Sequence, residues 1–244
     1  MKVNIHLLGL LLSFSLHTPV YANIKVGTVF FYPPFVMSTG DGFDIDLIRT
    51  ICQRLQETCE FYPMNYNQLF TSIDMGKVDI AIAGIAISPE RLTKYTFSLP
   101  YMLSKGQFLT LKSSNIHSIE DLKNKKVGVI KGELEGSAIY NFLIHNFSDL
   151  FQVVQFNDME DLITAVNDGD ISAAFIHRSA ANYWVQNGGN QFQTLSTPFT
   201  YGDGIGIMAL PAKASLIQRI NQQLQTMEED NSYVNLYKIY FGNE

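Results

Sequence analysis

The stretch YNQLFTSIDMGKVDIAIAGIAI (residues 66–87) joins a helical pattern to a long apolar run. Apolar residues recur at helical spacing in its first half, and Gly76 then supplies a helix stop. Residues 78–87 are almost continuously apolar and rich in isoleucine, which predicts a buried strand. A helix that leads directly into such a strand is typical of α/β proteins with parallel sheets.

The same alternation of strands and helices continues along the chain. Strand-like runs lie at residues 24–30, 59–64, 125–130, 151–156 and 171–176, and helix-like runs at residues 43–55, 135–147 and 159–169. The C-terminal segment is predicted to be helical, with a break at Asn231 and Ser232. This pattern predicts an α/β fold with mostly parallel sheets flanked by helices, in which ligands sit beyond the carboxyl ends of the strands.

Two units of this kind are predicted rather than one. The pattern restarts after a polar connection, and a similar shift occurs near the segment STPFTYGDGIGIMAL, which predicts a second domain inserted into the first. The predicted first lobe comprises residues 23–107 and 202–244, and the predicted second lobe comprises residues 108–201. The chain is expected to cross between the lobes near residues 107–112 and 197–207.

The first 22 residues, MKVNIHLLGLLLSFSLHTPVYA, have the features of a secretory signal peptide. Lys2 gives a basic start, residues 5–16 form a mostly apolar run, and small residues precede the predicted cleavage after Ala22. The apolar run is too short to span a membrane. A buried N-terminal helix is the alternative.

The charge of the chain limits its partners. The 244 residues carry a formal net charge of −6, and removal of residues 1–22 takes away one lysine and no acid, which gives −7. This acidic balance argues against binding to nucleic acid or to an anionic membrane surface. No cysteine lies at the cleavage site to carry a lipid, and no second apolar run approaches membrane-spanning length, so we expect a soluble protein without a lipid anchor.

The chain has two cysteines, Cys52 and Cys59. The first lies late in a predicted helix and the second just before a predicted strand, so a short loop could bring them together. In an oxidising compartment a disulfide is favoured, with two separate thiols as the alternative. No histidine lies near them, so we do not expect a metal site.

The segment SPER (residues 88–91) raises a question of charge. Ser88 and Pro89 predict the start of a helix. Arg91 lies in its first turn, where the positive end of the helix dipole disfavours a cation. One explanation is that the guanidinium and nearby backbone N–H groups bind an anion together. The alternative is an exposed arginine that Glu90, solvent or partners one helical turn away tolerate.

Six motifs, in order along the chain, carry a resemblance to a known family: YPPF, GFDIDLIRTIC, VDIAIAGIAISPERLTKYTFSLPY, SIEDLKNKKVGVIKG, GDISAAF and YGDGIGI. Together they resemble the periplasmic polar-amino-acid-binding proteins of ABC transporters (solute-binding protein family 3), which include binders of arginine, of lysine/arginine/ornithine, of histidine and of glutamine. The similarity covers essentially the whole chain after residue 22 and includes the cysteine pair. It implies a type II periplasmic-binding-protein fold, a hinged two-lobe clamshell that closes on one amino acid in the periplasm and then docks on an ABC permease of the inner membrane.

The resemblance also implies roles for particular residues. Arg91 matches the arginine that holds the ligand carboxylate, with backbone N–H groups around it. Tyr32 and Tyr66 match aromatic positions that sandwich the ligand side chain, and a role in the core is the alternative for each. The candidate ligand-binding residues are Tyr32, Tyr66, Gly84, Ala86, Arg91, Glu133, Leu134 and His177.

Several of these positions depart from the family pattern. His177 stands where the family usually has an aspartate for the ligand ammonium; a protonated imidazole repels an ammonium, and a neutral one accepts a single hydrogen bond at best. Leu134, preceded by Glu133, replaces a threonine. Val29 and Ala86 stand where relatives that bind cationic side chains carry acids, which argues against arginine or lysine as the ligand.

Two interpretations of these departures stay open. In the first, Glu133 or Glu135 supplies the missing carboxylate, and an amino acid still binds. In the second, the ligand has a carboxylate but no conventional ammonium, and His177 contacts some other polar group. Acids near a helix N-terminus are favourable without any ligand, so the two glutamates also have a purely structural explanation.

The predicted function is a solute-binding protein that captures an amino acid or related small carboxylate and delivers it to an ABC permease for uptake. One alternative is an enzyme on the same scaffold, similar to cyclohexadienyl dehydratases, with His177 as an acid near Arg91. Another is a free-standing sensor of a small carboxylate. His117, His145 and His177 are scattered and no titratable pair is placed beside a nucleophile, so we do not expect enzyme activity. We also expect a monomer that has no cofactor and no metal.

Overall fold

The structure of the chain is a computed structural model that describes residues 23–132 and 138–242. The predicted signal peptide (residues 1–22) and the candidate ligand-binding residues Glu133 and Leu134 lie outside the described residues. Within the two described ranges, no helix combines the length and the apolar character needed to cross a membrane.

Strands and helices alternate along the described residues. The strands are β1 (Asn23–Val29), β2 (Thr58–Met64), β3 (Ile80–Ala81), β4 (Thr96–Phe97), β5 (Lys105–Leu111), β6 (Lys126–Ile130), β7 (Gln152–Phe156), β8 (Ala173–His177), β9 (Phe192–Thr200) and β10 (Met208–Ala209). The α-helices are α1 (Phe43–Leu55), α2 (Tyr66–Asp74), α3 (Pro89–Leu92), α4 (Ala138–Phe147), α5 (Met159–Asn167), α6 (Arg178–Asn187), α7 (Ala214–Glu229) and α8 (Ser232–Phe241). Short 3-10 helices lie at Glu120–Leu122 and Pro211–Lys213.

The first sheet has the strand order β2-β1-β3-β10-β4. Strand β1 pairs in parallel with β2 on one side and β3 on the other, so Val26 lies opposite Phe61 in β2 and Ile80 in β3. Helix α1 packs against this sheet through Phe43, Leu47 and other apolar residues at helical spacing, all of them buried. Parallel strands joined by packed helices form this half of the fold.

The second sheet has the strand order β7-β6-β8-β5-β9. Strand β6 pairs in parallel with β7 and β8, whereas β5 runs antiparallel to β8 and β9. In the first sheet, β10 is likewise antiparallel to both of its neighbours. Strands β5 and β10 are the first strands formed after the chain passes from one sheet to the other. The α/β class is confirmed, and each sheet is mixed because of these entering strands.

The two crossings between the sheets lie side by side. The N–H of Tyr201 donates to the carbonyl oxygen of Ser104 at 3.1 Å, and the N–H of Gly204 donates to Ser104 Oγ at 3.1 Å. Strand β5 pairs with the second sheet from Lys105 onward, which favours a first crossing slightly before the predicted boundary at residues 107/108. The division of the chain into lobes remains a prediction.

The prediction of one long strand over residues 78–87 is wrong, because only Ile80 and Ala81 pair in the sheet, as β3. Gly84 has a φ of +61°, and its N–H donates to Asp44 Oδ2 at 2.8 Å. The backbone therefore turns out of the sheet after β3, at a residue that tolerates a left-handed conformation. The segment stays mostly buried by packing on both sides, which explains its apolar sequence.

Two local predictions are confirmed. Cys52, near the end of α1, forms a disulfide with Cys59 in β2 and so ties the helix to the edge of the sheet it covers. The C-terminal helical segment is broken where expected: α7 ends at Glu229, Asn231 takes a left-handed φ of +62°, and α8 begins at Ser232.

Candidate ligand-binding site

Arg91 is buried and held in one orientation. The side chain of Ser88 accepts a hydrogen bond from the Arg91 N–H at 3.3 Å, which caps the short helix α3. Only 4% of Arg91 is exposed; its Nη1 donates to the carbonyl oxygen of Ala86 at 2.7 Å, and its guanidinium carbon lies 4.9 Å from the centroid of the Phe70 ring. The alternative of an exposed arginine is therefore wrong.

The Arg91 side chain lines a small cavity, here called the Arg91 cavity, between loops and helices attached to the first sheet and residues of β6 and α4 in the second half. Its described lining residues are Tyr32, Tyr66, Gly84, Ala86, Arg91, Ile130, Ala138, Ile139 and Tyr201. Five of the eight residues proposed from the sequence thus gather around one space. Arg91 is the one charged residue among the described lining residues, so the fixed charge facing the cavity from them is positive. Such a space suits an anion.

Gly84 is positioned by a buried carboxyl group. Asp44 is fully buried, and its two oxygens accept hydrogen bonds from the Gly84 N–H at 2.8 Å and from the Tyr101 hydroxyl at 3.0 Å. Burial raises the pKa of Asp44 to about 7, because the charged form loses its hydration. Asp44 does not line the Arg91 cavity, so it acts on that cavity through the backbone it holds.

Tyr32 and Tyr66 are placed by aromatic packing. Tyr32 is 6% exposed and packs against Phe35, which is fully buried, with ring centroids 5.5 Å apart. Tyr66 is half-buried at the start of α2, and its ring centroid lies 5.8 Å from that of Phe70. Each ring also lines the Arg91 cavity, so both residues combine a packing role with a surface that a ligand could touch. Their contact with a ligand remains a prediction.

His177 lies outside the Arg91 cavity, which differs from the expectation drawn from the sequence. Its Nδ1 accepts the Ser179 N–H at 3.2 Å and so caps α6, and its Nε2 lies 3.1 Å from the Leu103 carbonyl oxygen. Burial lowers the pKa of His177 to about 4, so the ring is neutral at physiological pH and Nε2 carries the proton. Both ring nitrogens bond the main chain, an arrangement that favours a structural role over ammonium binding or acid catalysis.

A second cavity, here called the Val29 cavity, adjoins the first. Its volume is about 130 Å³, and it shares Tyr32, Tyr66 and Ile130 with the Arg91 cavity. It extends from Val29, at the end of β1, to Asp158, at the start of α5. The two cavities together form one space, with the Arg91 guanidinium at its narrow end and the larger Val29 cavity beside it.

Sequence reasoning missed four residues that line the Arg91 cavity: Ile130, Ala138, Ile139 and Tyr201. Ile130 is the last residue of β6, and a ligand is expected at the carboxyl ends of parallel strands, so the strand pattern contains the signal for it. Tyr201 opens the YGDGIGI motif beside the second crossing. All four residues are far from Arg91 in the sequence, and the folding of the two sheets is needed to bring them near it.

Among the described residues, the site has no cluster of side chains that could bind a metal ion. No group of three or more histidine, cysteine, aspartate or glutamate side chains is arranged there to bind a metal ion. Glu133 and Glu135, the two candidates to replace the missing carboxylate, lie in the gap between the described ranges.

Comparison with known proteins places this geometry in a family. The model of the bacterial extracellular solute-binding proteins, family 3, matches residues 24–243. The Escherichia coli protein named ABC transporter arginine-binding protein 1 is 25% identical over 242 residues, which cover 96% of this chain and 97% of that protein.

Two solved structures extend the comparison. An arginine transport-system periplasmic binding protein from Legionella pneumophila is 32% identical, with a TM-score of 0.84 over 90% of this chain and 99% of that one. An ancestral amino-acid-binding protein described as a precursor of cyclohexadienyl dehydratase is 27% identical, with a TM-score of 0.79 over 90% of this chain and 95% of that one. With its two five-stranded sheets in the type II periplasmic-binding-protein arrangement, the chain belongs to the bacterial extracellular solute-binding proteins of family 3.

Proposed function

We propose that the protein captures an amino acid or related small carboxylate outside the cytoplasm and delivers it to an ABC-transporter permease for uptake. The observation that carries this proposal is the buried guanidinium of Arg91 on the wall of the Arg91 cavity. A guanidinium matches a carboxylate in shape and charge, and its hydrogen bonds are stronger in a space shielded from water. The names of the relatives, which refer to arginine and amino-acid binding, support the same class of ligand.

We further propose that the ligand is trapped by closure of two lobes. The Arg91 cavity is lined by residues from both proposed lobes, so closure of the lobes would complete it. The two crossings are hydrogen-bonded to each other at Ser104, which suits a hinge of two adjacent strands. The proposed lobes are those drawn from the sequence, with the first crossing shifted toward Ser104.

Location and partners belong to the same proposal. Removal of residues 1–22 on export would leave a soluble periplasmic protein, which as a monomer would present its closed form to the permease. The match to relatives along nearly their whole length supports this role. A sensor that passes the ligand signal to a receptor would use the same binding site.

Binding is favoured over catalysis by the state of the buried histidine and the buried aspartate near the site. The ring of His177 bonds Leu103 and Ser179, and the carboxyl group of Asp44 bonds Gly84 and Tyr101. Neither residue lines the Arg91 cavity, where a general acid would have to reach a bound substrate. The resemblance to a precursor of a dehydratase therefore concerns the scaffold.

A thermal-shift screen tests the proposed function. We expect at least one amino acid or small carboxylate to stabilise the purified protein by about 2.7 kcal/mol at one hundred times its Kd, which raises the Tm by roughly 5–10 °C. The panel should pair each amino acid with its deaminated carboxylate, because that pair reports whether an ammonium is needed. Sugars and neutral amides serve as controls. A panel in which no carboxylate moves the Tm would contradict the proposal.

A further inference from the structure

The walls of the Val29 cavity are mainly apolar. Three of its lining residues are almost fully buried: Val29 and Tyr32 are each 6% exposed, and Met159 is 1% exposed. Half-buried Met64, Tyr66 and Ile130 continue this surface toward the Arg91 cavity. A group that enters from the Arg91 side thus meets side chains without a formal charge. This surface can replace water around an apolar group and cannot replace it around a charged one.

Two carboxylates, those of Asp158 and Glu160, also line the Val29 cavity. Glu160 is exposed, as is Asn157. Asp158 is half-buried and accepts the Asp161 N–H at 2.9 Å, so one of its oxygens already caps α5. These carboxylates also belong to the first turn of a helix, where the helix dipole favours them without any ligand. Their position therefore has an explanation in the fold.

We infer that the Val29 cavity receives the apolar side chain of the ligand, so that the substrate class is a small carboxylate with an aliphatic or aromatic side chain. This inference rests on the proposed function, because it assumes that Arg91 holds the carboxylate in the adjoining cavity. A cationic side chain in the same place would give up its hydration next to Val29 and Met159, which offer it no charged acceptor, and one oxygen of the nearby Asp158 already caps α5. An apolar side chain gains from the same burial.

Isothermal titration of the purified protein with L-leucine, L-phenylalanine, L-arginine and L-lysine tests the inference. We expect the tighter of the two apolar amino acids to bind at least tenfold more tightly than either cationic one. Tighter binding of arginine or lysine would overturn the inference. If Asp158→Asn or Glu160→Gln then removed that cationic preference, these carboxylates would be the residues that recognise the side chain.

A charge placed on the buried wall gives a second test. Val29→Asp should shift the ratio of the arginine and leucine affinities toward arginine by at least tenfold, whereas the nearly isosteric Val29→Asn should not. Met64→Glu offers the same test at a half-buried position, should Val29→Asp fold poorly. An unchanged ratio in folded variants at both positions would show that the ligand side chain does not enter this cavity.

The outcomes separate this inference from the proposed function. One possible result is that the protein prefers cationic amino acids and that Arg91→Ala abolishes their binding. This result would leave the proposed function intact and overturn the inference alone. Absence of binding for all four amino acids and for their deaminated carboxylates would overturn the inference, and only a thermal-shift panel in which no carboxylate moves the Tm would overturn the proposed function as well.

Discussion

Replacing Arg91 by alanine is expected to weaken the binding of every carboxylate ligand by about 3–5 kcal/mol, or roughly a hundredfold to several thousandfold in Kd. The physical reason is that a ligand carboxylate would lose its charged partner inside a cavity where the described residues supply no other cation. The carboxylate would then have to give up its hydration without a replacement. Isothermal titration with the best ligand from the thermal-shift screen measures the change.

Two further variants separate the charge of Arg91 from its packing. Arg91→Lys keeps the charge but loses the planar fork, so we expect an intermediate loss of affinity. Arg49→Ala is the matched control, because Arg49 also lies over a phenylalanine ring, at 5.7 Å from the Phe61 centroid, yet its side chain is 54% exposed. It should bind ligand as the unmodified protein does. Near-normal affinity in a folded Arg91→Ala variant would refute the role assigned to Arg91.

The second large effect concerns Asp44 and the pH dependence of folding. The pKa of Asp44 is raised to about 7 by burial, so the folded protein holds this proton more tightly than the unfolded chain does. Folding then takes up a proton between about pH 4 and pH 7, and stability falls as the pH rises through that window. Between about pH 5 and pH 8, the Asp44 contribution to the free energy of unfolding should fall by about 2–3 kcal/mol.

Urea unfolding at pH 5 and pH 8 isolates this contribution. Asp44→Asn keeps an oxygen that accepts from the Gly84 N–H and has an amide N–H that can donate to the Tyr101 hydroxyl oxygen, so it should remove the pH-dependent loss and be more stable than the parent at pH 8. Asp46→Asn, in the same turn of α1 but with a partly exposed carboxylate, should keep the parental pH dependence. If Asp44→Asn and the parent showed the same pH dependence, the buried carboxyl would be ionised throughout the range, contrary to our account.

Much of the fold follows from local sequence patterns. Helix α1 has the bounds that its apolar spacing predicts, and the break between α7 and α8 falls at the predicted residues because Asn231 tolerates a left-handed conformation. The prediction of a long strand over residues 78–87 was wrong because a buried loop and a buried strand have the same continuous apolar sequence. The turn at Gly84 depends on Asp44, 40 residues earlier in the chain, and no local pattern reveals that bond.

The candidate site shows the same division between local and distant information. The position of Arg91 follows from the SPER segment and from the family motifs, which are local. The orientation of His177 depends on the carbonyl of Leu103 and on the amide of Ser179, so the sequence alone could not show that both ring nitrogens are engaged. The approach of Ile130 and Tyr201 to Arg91 likewise requires the pairing of distant strands.

The most direct test compares an acid with its amide. Titration of the purified protein with L-leucine and L-leucinamide, and with L-arginine and L-argininamide, changes the group that faces Arg91 while keeping the side chain. We predict that amidation weakens binding at least a hundredfold in whichever pair binds, because the guanidinium loses a negative partner. An amide that binds within roughly threefold of its acid would show that the cavity does not recognise a carboxylate through Arg91.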